Sequence, residues 1–109
     1  MEENKYAVAF DLIVKAGNAK SAAMMAIEAA KEFDFEEADR SLKEAEEEMR
    51  NAHQVQMDML QQEAAGNPID VNIILVHAQD HLSMAITAKE LAEQFIDLYK
   101  TIAELKKQI

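Results

Sequence analysis

The segment that decides the fold runs from Val71 to Tyr99 and reads VNIILVHAQDHLSMAITAKELAEQFIDLY. Its apolar residues recur every three or four positions, which predicts an α-helix. At helical pitch His77 shares a face with Asp80 and His81, so two imidazoles and a carboxylate converge within about one turn. Because the rest of the segment is largely apolar, we expect these polar side chains in or beside a packing surface.

The predicted helix is apolar on two sides near its start. Its two flanks hold Ile73, Val76 and Met84 on one side and Leu75, Leu82 and Ile86 on the other. A single bundle of helices covers only one of these flanks. Since a large uncovered apolar surface usually marks an interface, we predict that the chain associates with copies of itself.

The first part of the chain predicts another amphipathic helix, from about Asn4 to Glu32. Apolar and small residues repeat there at spacings of three, four and seven positions: Phe10, Ile13, Gly17, Met24, Ile27 and Ala30. Glycine weakens a helix by roughly 1 kcal/mol relative to alanine, so a packing reason for Gly17 is expected. The nearby alanines give this segment little side-chain bulk, so we predict that another helix can approach closely along it: Ala16, Ala19, Ala22, Ala23 and Ala26.

A second helix is predicted from Phe35 to about Ala64. Asp34 is the expected N-cap, and Glu37 stands at the third helical position, as in a capping box. The acidic side chains along one face of this helix are expected to face solvent.

The segment Ala65–Pro68, AGNP, is the clearest linker in the sequence. Gly66 ends the second helix and Pro68 cannot continue it. Asp70 is the expected cap of the third helix, which extends to about Lys107. Three long helices joined by short connections predict an all-α, antiparallel three-helix bundle, with residues 1–109 forming one domain.

The composition excludes several classes of function. A net charge of -10 argues against binding to a phosphate backbone, so we expect no nucleic-acid partner and predict that protein partners carry a basic surface. The absence of cysteine excludes disulfides and thiolate chemistry and favours a reducing compartment. No run of about 18 apolar residues occurs, so we expect a cytoplasmic protein that does not insert into a membrane.

Two metal-dependent classes fit the segment HAQDH poorly. In the zinc peptidases marked by His-x-x-Glu-His, a glutamate stands where this chain has Asp80, and no third ligand is evident. A dinuclear carboxylate bundle requires Glu-x-x-His motifs, but the residues three positions before the histidines are Arg50, Ile74 and Ala78.

Three interpretations of the same segment remain open. Asp80 could join its copies around a cation such as Mg²⁺ between subunits, because a lone buried carboxylate is costly unless it is paired or coordinated. His77 could be a nucleophile that accepts a phosphoryl group, if a neighbouring group orients its ring. Alternatively, both histidines only pack, and the chain is a non-catalytic helical oligomerisation or metal-binding protein.

Three stretches of the chain resemble a known family. They read AGNAKSAAMMAIEAAKEFDFEEAD (residues 16–39), AHQVQMDMLQQEAAGNP (residues 52–68) and VNIILVHAQDHLSMAITAKEL (residues 71–91). Together they resemble the enzyme IIA component of the lactose, cellobiose and chitobiose class of the bacterial phosphotransferase system. The resemblance covers nearly the whole chain. It departs from the expected pattern at Ser83, where relatives carry a bulkier methionine, and at Lys20, where arginine is common.

The resemblance implies a phosphocarrier. His77 matches the histidine that takes a phosphoryl group at Nε2 from the histidine phosphocarrier protein. The group then passes to a cysteine of the IIB component, which phosphorylates a β-linked disaccharide during uptake. Gln79 and His81 match motif neighbours and are expected to support His77.

The resemblance also implies an assembly. Family members are trimers of three-helix subunits, and Asp80 matches the acid that meets its symmetry mates around a divalent cation, for which Mg²⁺ is the expected ion. His53 matches a further family position, and we expect its side chain to be hydrogen-bonded within the bundle; the alternative is a contact with the phosphoryl group.

Overall fold

The computed structural model describes residues 2–109, with side chains from Tyr6 onward, and contains three helices. These are α1 (Glu2–Lys31), α2 (Phe35–Ala64) and α3 (Ile73–Gln108). Consecutive helices run antiparallel, so α1 and α3 are parallel, and the bundle measures 63 × 24 × 19 Å. The predicted all-α three-helix bundle is confirmed.

The face of α1 inside the bundle is built mainly of alanine. Its buried residues are Ala9, Leu12, Ala16, Ala19, Ala22, Ala23, Ala26 and Ala30. Small side chains let α1 lie close to both other helices, whereas α2 and α3 share a smaller contact with each other. The larger residues Phe10 and Met24 of the predicted apolar stripe are instead 53% and 46% exposed, beside α3. Ala30 of this stripe is buried and Ile13 and Ile27 pack against the core, so the predicted stripe lies at the edge of a core face built mainly of alanine.

Gly17 does not mark a close approach of helices within the chain. A Cβ atom added there would meet nothing within 4 Å among the described residues. The single subunit therefore shows no packing contact at Gly17 itself, but the predicted close approach of a helix along this segment is confirmed by the buried alanines on the adjacent face. Gly17 lies on α1 between Ile13 and Lys20, and both of these line open grooves beside α3.

The helix ends confirm two of the predicted signals and correct two others. The Asp34 carboxylate accepts a hydrogen bond from the backbone N–H of Glu37, which makes Asp34 the N-cap of α2. Glu37 does not complete a capping box, since its side chain pairs with Arg40, and this hydrogen bond lowers the pKa of the Glu37 carboxyl. Gly66 follows the end of α2 with φ of 91°, as expected of a helix-ending glycine.

The cap of α3 is Asn72 rather than Asp70. The Asn72 side chain accepts a hydrogen bond of 2.9 Å from the backbone N–H of Leu75, and the helix begins at Ile73. The prediction of Asp70 is wrong: Asp and Asn cap helices about equally well, and the helix begins two residues later than a cap at Asp70 would place it.

The side of α3 that faces away from the bundle forms a continuous apolar surface, which we call the outer stripe. Its exposed members are Ile73, Val76, Met84, Leu91, Phe95, Leu98, Ile102 and Leu105. The opposite side packs in the core through Ala78, Leu82, Ala85, Ala92 and Ile96. The predicted division of α3 into two apolar flanks is confirmed. At helical pitch Asp80 lies close to the central line of the outer stripe, and Thr87 and His77 lie about 40° to either side of it.

Candidate functional site

His77 and His81 form a contacting pair near the start of α3. Their Nε2 atoms are 3.0 Å apart, and the two rings meet edge to face with their centroids 4.5 Å apart. The pair forms because residues four positions apart are neighbours on a helix. His77 is exposed and His81 is partly exposed, so another protein can reach both rings.

One hydrogen atom must lie between the two Nε2 atoms. In a neutral imidazole one ring nitrogen donates and the other accepts, so one ring of the pair presents an N–H and the other a lone pair. When His81 is the donor, Nε2 of His77 keeps the lone pair that a nucleophile needs. The pair can therefore hold His77 in a reactive tautomer.

The surroundings of His77 are mainly apolar. A groove between α1 and α3 is lined by His77, Asp80, Phe10, Ile13, Ile73, Ile74 and Val76. Apolar walls limit the water around a reacting group and strengthen the electrostatic interactions made there.

Asp80 lies beside His77 in the same groove and is exposed. Its carboxylate makes no hydrogen bond or ion pair with any residue that the structure describes. Within residues 6–109 of one chain, no three His, Asp or Glu side chains cluster closely enough to hold a metal ion. A single chain therefore offers one carboxylate there, and its described residues supply no cluster of side-chain ligands for the predicted metal site.

Gln79 lies apart from the two histidines. At 100° per residue, two positions separate Gln79 from His77 by about 200°, so they occupy opposite sides of α3. Gln79 faces α2, where its Oε1 accepts a hydrogen bond of 2.7 Å from Nε2 of Gln56. Of the predicted supporting residues, only His81 meets His77 within the chain.

The surroundings of the His53 side chain differ from those predicted. Its side chain is exposed on α2 and makes no hydrogen bond in the part of the chain that the structure describes. The prediction that it is hydrogen-bonded within the bundle is wrong.

The contact between Gln56 and Gln79 was not anticipated from the sequence. Gln56 is half-buried on α2. Its partner lies 23 positions away, so only the register of α2 against α3 could have identified the pair.

None of the three helices, over residues 2–109, combines the length and apolar character needed to cross a bilayer.

A family model described as the lactose/cellobiose-specific IIA subunit of the phosphotransferase system matches residues 7–100. The lichenan-specific phosphotransferase enzyme IIA component of Bacillus subtilis (strain 168) is 43% identical over 104 residues, which cover 95% of this chain and 94% of that protein.

Solved structures agree with the sequence match. The cellobiose-specific enzyme IIA from Bacillus anthracis has a TM-score of 0.89 and 44% identity, with 92% of each chain covered. A chitobiose IIA from Escherichia coli, solved in complex with HPr, has a TM-score of 0.78 and 31% identity, covering 91% of this chain and 96% of that one. As the sequence pattern predicts, the chain belongs to the lactose/cellobiose-specific IIA family of the phosphotransferase system.

Proposed function

We propose that this chain is a phosphocarrier in which His77 accepts a phosphoryl group from the histidine phosphocarrier protein, HPr, and passes it to a cysteine of a IIB component. The observation that carries the proposal is the exposed His77, whose Nε2 lies 3.0 Å from Nε2 of His81 in a chain of this family. The transfer serves the uptake of a β-linked disaccharide. On the same family basis, we expect the chain to act in the cytoplasm.

The first phosphoryl transfer, from the donor histidine to His77, needs neither water nor a further reactant. The lone pair on Nε2 of His77 forms a bond to phosphorus as the N–P bond of the donor histidine breaks. The three phosphoryl oxygens move with the phosphorus atom. In the onward step a cysteine thiolate of IIB attacks the phosphorus, and the N–P bond electrons return to Nε2 of His77.

His81 supports this step as a hydrogen-bond donor. Its Nε2–H points at the nitrogen that becomes phosphorylated, so a small ring rotation brings it to a phosphoryl oxygen. Hydrogen bonds to charged acceptors are stronger than neutral ones, so the bond gains strength as the anionic group arrives. Stabilisation of the transferring group by fixed donors is the expected contribution of a protein to phosphoryl transfer.

We further propose that three subunits assemble through the outer stripe of α3. This stripe is too apolar and too long for the surface of a monomer, and a closed symmetric assembly would cover it. His77 lies on one side of the stripe and Gln79 on the other. Threefold packing of parallel α3 helices brings these two sides of adjacent subunits together, so Gln79 would support His77 of the neighbouring subunit.

Asp80 is the proposed ligand of a divalent cation on the threefold axis. Its carboxylate has no other partner among the described residues, and its place in the outer stripe brings three copies together in the trimer. Three carboxylates at one point repel one another unless a cation lies between them. Oxygen ligands of this kind suit Mg²⁺, which would act as a structural ion.

The test is phosphorylation of the purified chain by phosphoenolpyruvate, the general phosphotransferase protein and HPr. We expect phosphate that is labile in acid and stable in base, and we expect His77→Ala to abolish it. His53→Ala is the matched control, since His53 is exposed without a hydrogen bond and should leave the yield unchanged. If wild-type protein gains no phosphate, or if His77→Ala still gains it, the chain is instead a non-catalytic oligomerisation or metal-binding protein.

A further inference from the structure

The contact between Gln56 and Gln79 joins α2 to α3 at the level of the histidine pair. Nε2 of Gln56 donates to Oε1 of Gln79 across 2.7 Å, and both side chains are half-buried. A glutamine amide carries two donor hydrogens on one side and an acceptor oxygen on the other. With its oxygen engaged by α2, Gln79 has both N–H groups of its own amide left to donate elsewhere.

We propose that Gln56 is a positioning residue for phosphoryl transfer, because it fixes which end of the Gln79 amide faces the His77 site of the adjacent subunit. The inference rests on the proposed phosphocarrier function and trimer. Gln56 itself does not contact the phosphoryl group.

The orientation of the amide matters because its two ends have opposite polarity. The terminal torsion of glutamine is broad and roughly two-fold, so a free side chain exchanges its oxygen and nitrogen readily. An outward Nε2 attracts the oxygens of a phosphoryl group, whereas an outward Oε1 repels them. The hydrogen bond from Gln56 selects the attractive orientation before the phosphoryl group arrives.

The polarity of this hydrogen bond can be reversed by a single substitution. Gln56→Glu places a carboxylate there, which only accepts, so Gln79 must donate to it and turn its oxygen outward. Gln56→Lys supplies only donors, so it keeps the oxygen of Gln79 engaged. Gln56→Leu removes the bond and leaves the amide free to rotate.

We expect the initial rate of HPr-dependent phosphorylation to fall by about tenfold in Gln56→Glu, to change less than about threefold in Gln56→Lys, and to lie between these values in Gln56→Leu. If the hydrogen bond between Gln56 and Gln79 had only a structural role, the three variants would show a different order of rates. Gln56→Leu would then be slowest, and Gln56→Glu and Gln56→Lys would be alike. That order, or equal rates in all three variants, would overturn the proposal.

Two controls separate bond polarity from charge. Gln54 is exposed on the same helix, and its side chain bonds only to Asp58 among the residues that the structure describes, so Gln54→Glu and Gln54→Lys introduce the same charges without touching Gln79. Rates are also compared at about 0.1 M and 1 M salt, because screening weakens long-range charge effects and leaves a direct hydrogen bond largely intact.

A structural readout accompanies the rates. The ¹⁵N and ¹H resonances of the Gln79 side-chain amide should move in Gln56→Glu, where this amide donates to the new carboxylate, and stay close to wild type in Gln56→Lys, while sedimentation and melting temperature stay close to wild type in both variants. If His77 is never phosphorylated, the proposed function fails. If His77 is phosphorylated normally in Gln56→Glu, only the role of Gln56 is lost.

Discussion

The two histidines of α3 act on each other before any partner arrives. A separation of 3.0 Å between two Nε2 atoms requires one ring to donate and the other to accept. The donor cannot also be the nucleophile, so the pair assigns different roles to two chemically identical side chains. We assign the lone pair to His77, which is the more exposed of the two, and the N–H to His81.

Substitution of His81 tests this assignment. We expect His81→Ala to slow phosphorylation of His77 by about tenfold, the cost of one hydrogen bond to a charged group. His81→Gln should recover much of the rate, because its amide N–H reaches a similar point. The rates are measured from the transfer of labelled phosphate from HPr. Equal rates in wild type and His81→Ala would show that His81 contributes nothing to the transfer.

The sequence predicted the local part of this site and missed the non-local part. The meeting of His77 and His81 follows from their spacing of four positions on one helix, which needs no knowledge of tertiary structure. The bond between Gln56 and Gln79 depends on the register of α2 against α3. That register is set by core packing over the whole bundle, so the sequence around either residue does not reveal it.

At the scale of the helices, small side chains determine which face of α1 packs against the other two. In α1 the core face is largely alanine, and the larger apolar residues are left beside the groove with α3. Helix periodicity predicted the existence and approximate limits of all three helices. It did not predict which apolar side of α1 faces inward, because two sides satisfy the same three-and-four spacing. Close packing of three long helices favours the side with less bulk.

Replacing Gly17 and Gly66 with alanine should change the free energy of unfolding in opposite directions. Gly17 is helical and a Cβ there meets no described atom, so Gly17→Ala should raise the free energy of unfolding by about 0.5 to 1 kcal/mol through helix propensity. Gly66 has φ of 91°, so Gly66→Ala should lower the free energy of unfolding by about 1 kcal/mol.

Urea unfolding measures both changes. If Gly17→Ala lowers stability and weakens association together, the space beside Gly17 is filled by a neighbouring subunit, and the expected gain for the isolated bundle does not apply to the assembly.

On the scale of the whole molecule, the outer stripe is an extended apolar surface that the single chain leaves uncovered. Its eight exposed apolar residues extend from Ile73 to Leu105, along nearly the full length of α3. Asp80 is the one charged group close to the central line of this surface. The proposed trimer covers the apolar residues and concentrates three of these carboxylates at one level.

Replacing Asp80 separates assembly from metal binding. We expect Asp80→Leu to remain trimeric, and to be at least as stable as wild type in the presence of a chelator, because exchanging a buried charge cluster for packed apolar groups is often neutral or stabilising. The variant should lose bound Mg²⁺. Thr87→Leu, one heptad further along the same stripe, should keep both the trimer and the metal. Sedimentation gives the subunit number and elemental analysis gives the ion content; monomeric Asp80→Leu would contradict the proposed axis.

The two ends of α3 have different roles in the proposed assembly. The histidine pair and Asp80 occupy its first third, while the apolar residues from Leu91 to Leu105 lie well beyond them. In the proposed assembly the distal part keeps the copies together whatever happens near the start of the helix. Under this proposal, substitutions around the histidines would change the fit of a docking protein and leave the subunits assembled.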